Sequence, residues 1–229
     1  MANLRVISIG AMAAHPLWGE RDPVRTGHAT TSLIVSRDVR ILVDPGLPVA
    51  ALVSRLHERA NLRPNDITHV FLTSFHADCR RGLAAFDGAV WWISEAERES
   101  LGVPLAMQLR EELQRDNSDE ELVAILKRDV ELLSRFEAAP DSLANGVDLF
   151  PLPGVTPGMC GLLLPDLQHS TLICGDAIPT IEHLERGAII QGAIDVQSAQ
   201  ESFKEAIEIA DLLVLGRDNI VANPTKRLF

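Results

Sequence analysis

The stretch His76-Ala77-Asp78-Cys79 places an imidazole, a carboxylate and a thiol directly after the apolar run Val70-Phe71-Leu72 and Thr73. Side chains of these types hold divalent metals and move protons. Their position matters as much as their type. The apolar run reads as a buried strand ending at Thr73, and in open α/β architectures chemistry collects in the crevice beyond strand C-termini. Function is therefore expected at that strand end, within Thr68 to Gly82.

The elements that must carry this stretch can be read in order. Leu4 to Ile9 forms a first strand, followed by a long irregular segment, Gly10 to Gly27, that holds His15 and Trp18. Irregular segments of this length are often functional, although the plainer reading has Trp18 covering a sheet edge and His15 solvated. Ser32 to Val35 and Ile41 to Val43 are strands around a turn at Arg37-Asp38, and Asp44-Pro45-Gly46 closes them. Val49, Leu52, Val53 and Leu56 recur on one helix face. After the motif come the strand Val90 to Ile93 and a helix with acid in its first turn at Ser94-Glu95-Ala96-Glu97. From 103 to 138 the chain is helical and charged, with the apolar stripe Leu122, Leu126, Val130 and Leu133. This reads as a helical insertion, either a solvated surface pair, a lid, or a contact in a homo-oligomer.

The second half returns to short strands at Val147 to Leu152, Leu162 to Leu164 and Thr171 to Cys174, with tight turns at Pro153-Gly154 and Pro157-Gly158. Ser198 with Glu201 reads as a capping box for a helix burying Phe203, Ala206, Ile207 and Ala210. A last strand, Leu212 to Leu215, ends in Gly216-Arg217. Strands followed by helices in both halves fit two sheets face to face with helices outside, in a single domain spanning 1–229.

Composition narrows the partners. With 46% hydrophobic residues over 229, one substantial core is affordable. The net charge of −11 argues against nucleic acid as a partner. No apolar run is long enough to span a membrane, and the N-terminus lacks the basic and apolar regions of a signal peptide. Cytoplasmic location is the expectation. Three scattered cysteines form no disulfide framework; Cys160 and Cys174 read as packing residues. His57, His69 and His169 show no ligand spacing and read as surface.

The stretch "THVFLTSFHADC" resembles the His-x-His-x-Asp-His signature of the metallo-β-lactamase superfamily, with His76 and Asp78 matching and Ser74 and Cys79 in place of histidines. Further motifs follow in the family's order. Asp44-Pro45-Gly46 resembles the strand-Asp-x-Gly element beneath the metal site, and Pro153 to Met159 resembles a Pro-Gly-His-Thr-Pro-Gly-His turn without its histidines. Leu172 to Asp176 is similar to the strand ending in the metal-bridging Asp, and Leu215 to Asp218 to the segment of the final His ligand, here Arg217. The resemblance implies a four-layer αββα sandwich.

It also implies a site that departs from the family where the chemistry sits. One metal's His positions read Ser74, His76 and Met159, which leaves one good nitrogen ligand. The other metal's positions read Asp78, Cys79, Asp176 and Arg217, and a guanidinium has no lone pair to give. Arg217 has a second reading, as the charge that replaces a metal between two carboxylates. Glu182 and His183, shortly after Asp176, are candidates for substrate binding and for a substitute metal ligand; His28 is a candidate for the same rim. Two functions are expected. The first is a non-catalytic or small-molecule-binding member with a degenerate dinuclear site, in which Asp78 and Arg217 form the remaining polar centre. The second is a mononuclear hydrolase of an ester, lactone or thioester, with its metal held by some of His76, Asp78, Cys79, Asp176 and His183, Asp78 accepting the proton or orienting the water, and Asp78 and Arg217 as the catalytic candidates. The cofactor expectation is at most one divalent metal such as zinc, or none.

Overall fold

The computed structural model describes residues 2–115 and 117–226. The buried strand runs alternate in which core they enter, and this alternation sets the layers. In the strand His69–Leu72, Phe71 faces one core while Val70 and Leu72 face another. In Val39–Val43, Ile41 and Val43 point one way and Leu42 the other. In Thr171–Ile173 and Leu212–Val214, Ile173 and Val214 join Phe71 while Leu172 and Leu213 enter a third cluster. Successive side chains on a strand alternate faces. Apolar residues on both faces therefore need a sheet covered on both sides.

Two six-stranded sheets meet this need. The first has the order β1 (Asn3–Ser8), β2 (Thr31–Ser36), β3 (Val39–Val43), β4 (His69–Leu72), β5 (Val90–Ile93), β6 (Glu137–Ala138). Its first two pairings are antiparallel and the rest parallel. The second comprises β7 (Ser142–Ala144), β8 (Val147–Pro151), β9 (Cys160–Leu164), β10 (Thr171–Ile173), β11 (Leu212–Val214) and β12 (Ile220–Ala222), each beside the next. It is antiparallel except for the pairing of β10 with β11. The core between the sheets holds Ile34, Ile41, Phe71, Val147, Leu162 and Val214. Helix α1 (Val49–Ala60) covers the outside of the first sheet with Leu52 and Leu56. After the four-residue α2 (Ala77–Arg80) come α3 (Glu95–Leu113) and α4 (Glu120–Ser134), then α5 (Ile181–Arg186) and α6 (Val196–Ile209). Helix α6 covers the second sheet with Phe203 and Ala206. The expected αββα sandwich is the observed architecture. Among the described residues no helix is long and apolar enough to cross a membrane.

Several local expectations change. The helical stretch expected over 103–138 is a hairpin whose first helix has already begun at Glu95, capped by Ser94 Oγ accepting from the Glu97 amide at 3.0 Å. It continues through Pro104 rather than starting anew near it. On α4 the inward face is Val123, Leu126 and Leu133, while Leu122 is exposed. The cap of α6 is Asp195, whose carboxylate accepts from the Gln197 and Ser198 amides, so the helix starts before the expected Ser198-Glu201 box. Strands β6, β7 and β12 have two or three residues each and lie at or next to sheet edges, too short to leave a period in the sequence.

The Pro157-Gly158 turn approaches α3 so closely that a Cβ on Gly158 would lie 1.9 Å from the Glu97 backbone nitrogen. We expect Gly158→Ala to destabilise the fold by about 3 kcal/mol, the upper end of overpacking costs. The midpoint of chemical denaturation measures it.

Candidate functional site

Four strand ends deliver side chains to one place. Parallel pairing puts the C-termini of β3 and β4 side by side, and those of β10 and β11 likewise. Asp44 follows β3, the His76–Cys79 loop follows β4, Asp176 follows β10 and Arg217 follows β11. Backbone hydrogen bonds then lock these segments together, two of them between the halves and one within the first. The Thr30 amide donates to Gly216 O at 2.8 Å, the Ala29 amide to Asp78 O at 3.0 Å, and the Cys160 amide to Thr73 O at 3.0 Å.

Arg217 is 6% exposed and sits between two carboxylates. Its Nε and Nη2 donate to Asp176 Oδ1 and Oδ2 at 2.8 and 2.7 Å, a bidentate pair, and Nη1 donates to Asp78 Oδ2 at 2.5 Å. Asp78 Oδ1 accepts from Arg81 Nη2 at 2.9 Å. The arginine backbone is held as firmly: its amide donates to Pro179 O at 2.7 Å and the Gly216 amide to Ile178 O at 3.1 Å. Burial pushes the Asp176 carboxyl up, but the charge and hydrogen bonds of Arg217 outweigh it and hold the carboxyl below its usual 3.8. Beneath them Asp44 has φ of 48° and is buried. It accepts from the Thr73 amide at 2.9 Å and from Thr73 Oγ1 at 2.7 Å. Burial, with the Asp176 charge nearby, raises its pKa to about 7 against those hydrogen bonds.

The structure brings His76, Asp78, Asp176 and Arg217 into one crevice of about 370 Å³, walled by Met12, Ala13, Val155, Ile190 and Ile194. His76 is exposed there and caps α2, its Nδ1 3.4 Å from the Asp78 amide. Cys79 is buried, 3.7 Å from Ser74 Oγ, and burial pushes its thiol well above the usual range. His183 and Glu182 belong to a neighbouring cluster. Thr180 Oγ1 donates to Glu182 Oε2 at 2.8 Å and lies 2.9 Å from His183 Nδ1 and 3.1 Å from His15 Nε2. Trp18 Nε1 donates to Glu182 Oε1 at 2.9 Å. His28 does not line the crevice; its ring nitrogens face the Thr26 and Ile9 carbonyls at 3.3 and 3.1 Å.

His15, expected to be solvated, is 2% exposed and stacked against Trp18 at 4.2 Å. The Gly10–Gly27 segment folds back onto the second half, where Thr180 Oγ1 and Glu182 Oε2 partner Nε2 of the buried imidazole at 3.1 and 3.3 Å while its Nδ1 has no hydrogen-bond partner among the described residues. His69, expected at the surface, is half-buried and stacks on Trp92 at 4.0 Å. Glu97, legible only as an acid in a first turn, is fully buried; it accepts from the Phe75 amide at 3.0 Å and the Gly158 amide at 3.2 Å. No pattern in the sequence marks a carboxylate that ties two distant loops together.

A dinuclear metal centre is what the fold implies, and the donor set does not fit it. Arg217 takes both oxygens of Asp176 and one of Asp78. Cys79 is buried and its thiol is pushed up by that burial, Met159 is fully buried in the second-sheet core, and His183 holds Thr180 Oγ1 through Nδ1 in the neighbouring cluster. Among the described residues no three His, Cys, Asp or Glu side chains are grouped to hold a metal ion.

Comparison with known proteins agrees with the architecture. The model of the metallo-beta-lactamase superfamily matches residues 24–215. Among solved structures, a candidate metallo-beta-lactamase from Thermotoga maritima superposes with a TM-score of 0.67 at 17% identity, covering 96% of this chain and 99% of its own. AbOPH, a hydrolase in the beta lactamase superfamily, gives 0.62 at 16% identity over 99% and 92%. AidC, a dizinc quorum-quenching lactonase solved with the product N-hexnoyl-L-homoserine, gives 0.61 at 20% over 79% and 67%. No curated protein is matched by the sequence.

Two outcomes follow for stability. Arg217→Ala leaves buried carboxylates without their counter-charge, and breaking one partner of a buried ion pair costs about 3–5 kcal/mol. We expect a loss of that order at pH 7 by chemical denaturation. Asp176 has a depressed folded pKa, so its contribution is present above 3.8 and lost as pH falls through the folded value. Without Arg217, burial alone raises that carboxyl, so the variant's deficit shrinks as pH falls and the group protonates. Asp44 runs the other way. Its folded pKa of about 7 exceeds the usual 3.8, so stability falls as pH rises between the two. Asp44→Asn should flatten that part of the stability–pH curve; an unchanged slope would show Asp44 ionised throughout.

Proposed function

From the premise that the chain belongs to the metallo-beta-lactamase superfamily, we propose that it is a non-hydrolytic member. In this reading an internal guanidinium does the electrostatic work of a metal, and the crevice above it binds a small molecule. The single observation that carries the reading is Arg217, bidentate on Asp176 and bonded to Asp78. A cluster of carboxylates at strand ends needs positive charge, because an unpaired buried carboxylate shifts its pKa and takes up a proton. Here that charge comes from the chain itself, on a planar group that cannot deprotonate or be exchanged.

The walls then define what the crevice can hold. Apolar side chains from the Gly10–Gly27 segment and from the loop after α5 surround a floor whose carboxylates are already neutralised. Around that floor His76 and Gln191 offer polar groups to a ligand. A mostly apolar cavity with a few convergent polar groups is the usual form of a small-molecule site. A metal in this fold would polarise a carbonyl and lower the pKa of a bound water; the present donor set supports neither task.

The test is elemental analysis with thermal denaturation. The purified protein should carry well under one equivalent of metal per chain, and its melting temperature should not move with EDTA or added zinc. It should also leave esters, lactones and thioesters intact. Two equivalents of zinc, iron or manganese would reject the reading. A single tight equivalent lost in Cys79→Ser would favour the mononuclear hydrolase instead.

A further inference from the structure

A second cavity lies away from the crevice, in the hairpin of α3 and α4. Arg98, Gly102 and Leu105 recur at the spacing of one helix face, and opposite them stand Val130, Leu133 and Ser134 of α4. Together they line an open groove of about 320 Å³, within the size range of small-molecule sites. The groove exists because α3 has no side chain at 102. A Cβ built on Gly102 meets nothing within 4 Å, although a glycine inside a helix is unfavourable by roughly 1 kcal/mol relative to alanine.

The polar group in this groove is Arg98. Its Nη1 donates to Phe136 O at 3.2 Å, and among the described residues no acidic side chain lies within the 4.0 Å of a salt bridge. It is partly buried, so its charge is only partly hydrated. Buried Arg217 and half-buried Arg80 each have an acidic partner, whereas half-buried Arg40 resembles Arg98, its Nη1 donating to the backbone Asp66 O at 3.3 Å with no salt bridge among the described residues. Ser134 is not available to a ligand as a donor, since its hydroxyl donates to Glu131 O at 2.7 Å. The chemistry on offer is therefore a fork of guanidinium N–H groups beside an aliphatic trough of Leu105, Val130 and Leu133.

We propose that this groove binds an aliphatic monocarboxylate, with the carboxylate on Arg98 and the chain lying over Gly102 between the two helices. A guanidinium pairs with a carboxylate through two parallel charge-assisted bonds, and the chain buries apolar surface that the groove leaves open. A cationic ligand would be repelled by Arg98, and a neutral one would leave its charge unmatched. The site is independent of the crevice and of the function proposed for it.

Calorimetric titration of the full chain with sodium decanoate, alongside decanol, tests the assignment. Decanoate should bind saturably and decanol at least about tenfold more weakly, because only the carboxylate brings an opposite charge and two acceptor oxygens to the guanidinium fork. Arg98→Met should bind the two alike. Gly102→Leu should bind neither while keeping or raising the melting temperature, because it fills open space in a helix. The proposal is overturned if the wild-type chain takes up no decanoate, if it binds decanol equally well, or if Gly102→Leu binds decanoate undiminished. Should Arg98→Met fail to fold, the comparison of the two ligands on the wild-type chain and on Gly102→Leu still decides.

Discussion

Three carboxylates meet at the strand ends of this sandwich, and the guanidinium of Arg217 is the charge that lets them coexist. Asp78 and Asp176 are within hydrogen-bond reach of it, and Asp44 lies beneath, fully buried. At 4 Å two like charges repel by about 4 kcal/mol at an effective dielectric constant near 20, a large fraction of a domain's net stability. The chain resolves this in two ways. Asp176 is kept ionised by a bidentate partner, whereas Asp44 is pushed to a pKa of about 7 and satisfied by the Thr73 amide and hydroxyl. One carboxylate is paired and the other is poised to take up a proton.

The loops that hold this arrangement depend on it in turn. The guanidinium links the ends of β10 and β11 to the loop after β4, and so joins the two sheets through side chains as well as through the core between them. Close backbone approaches do the rest. A Cβ on Gly216 would meet Gly175 O at 2.3 Å, and one on Gly46 would meet Asp78 O at 2.5 Å, so neither position admits a side chain. Glu97 adds a clamp from outside the first sheet. From α3 it accepts from the Phe75 and Gly158 amides, which ties the loop bearing the motif to the turn bearing Met159. A carboxylate that bonds only backbone donors can be buried because those donors would otherwise be orphaned.

The helical hairpin is connected to the same loop. Arg80, one residue beyond Cys79, donates to Phe75 O at 2.9 Å and to Asp129 of α4 at 2.8 Å, with its guanidinium 4.1 Å from the Phe75 ring. The hairpin is thus anchored on the loop that carries His76 and Asp78, while its outer groove lies open around Gly102.

What the sequence by itself determined was the succession of buried strands and the residue types at their ends. Val70-Phe71-Leu72 and Leu212 to Leu215 are short apolar runs that only a covered sheet accommodates, and the turn residues between them set where each run stops. The presence of Arg217 at a strand end, and the absence of histidines at 74 and 159, were equally legible, because they are facts of composition at identifiable positions. The tertiary structure decided which side chains face each other. His28 and His183 stood as near to the motif in the pattern as Asp176 did, yet one spends its ring on backbone carbonyls and the other on Thr180. His15 and Glu97 were invisible as structural groups, since their burial depends on partners 165 and 61 residues away. Local sequence dictates periodicity and turns. Which polar groups can be buried is settled only when distant segments supply their hydrogen bonds.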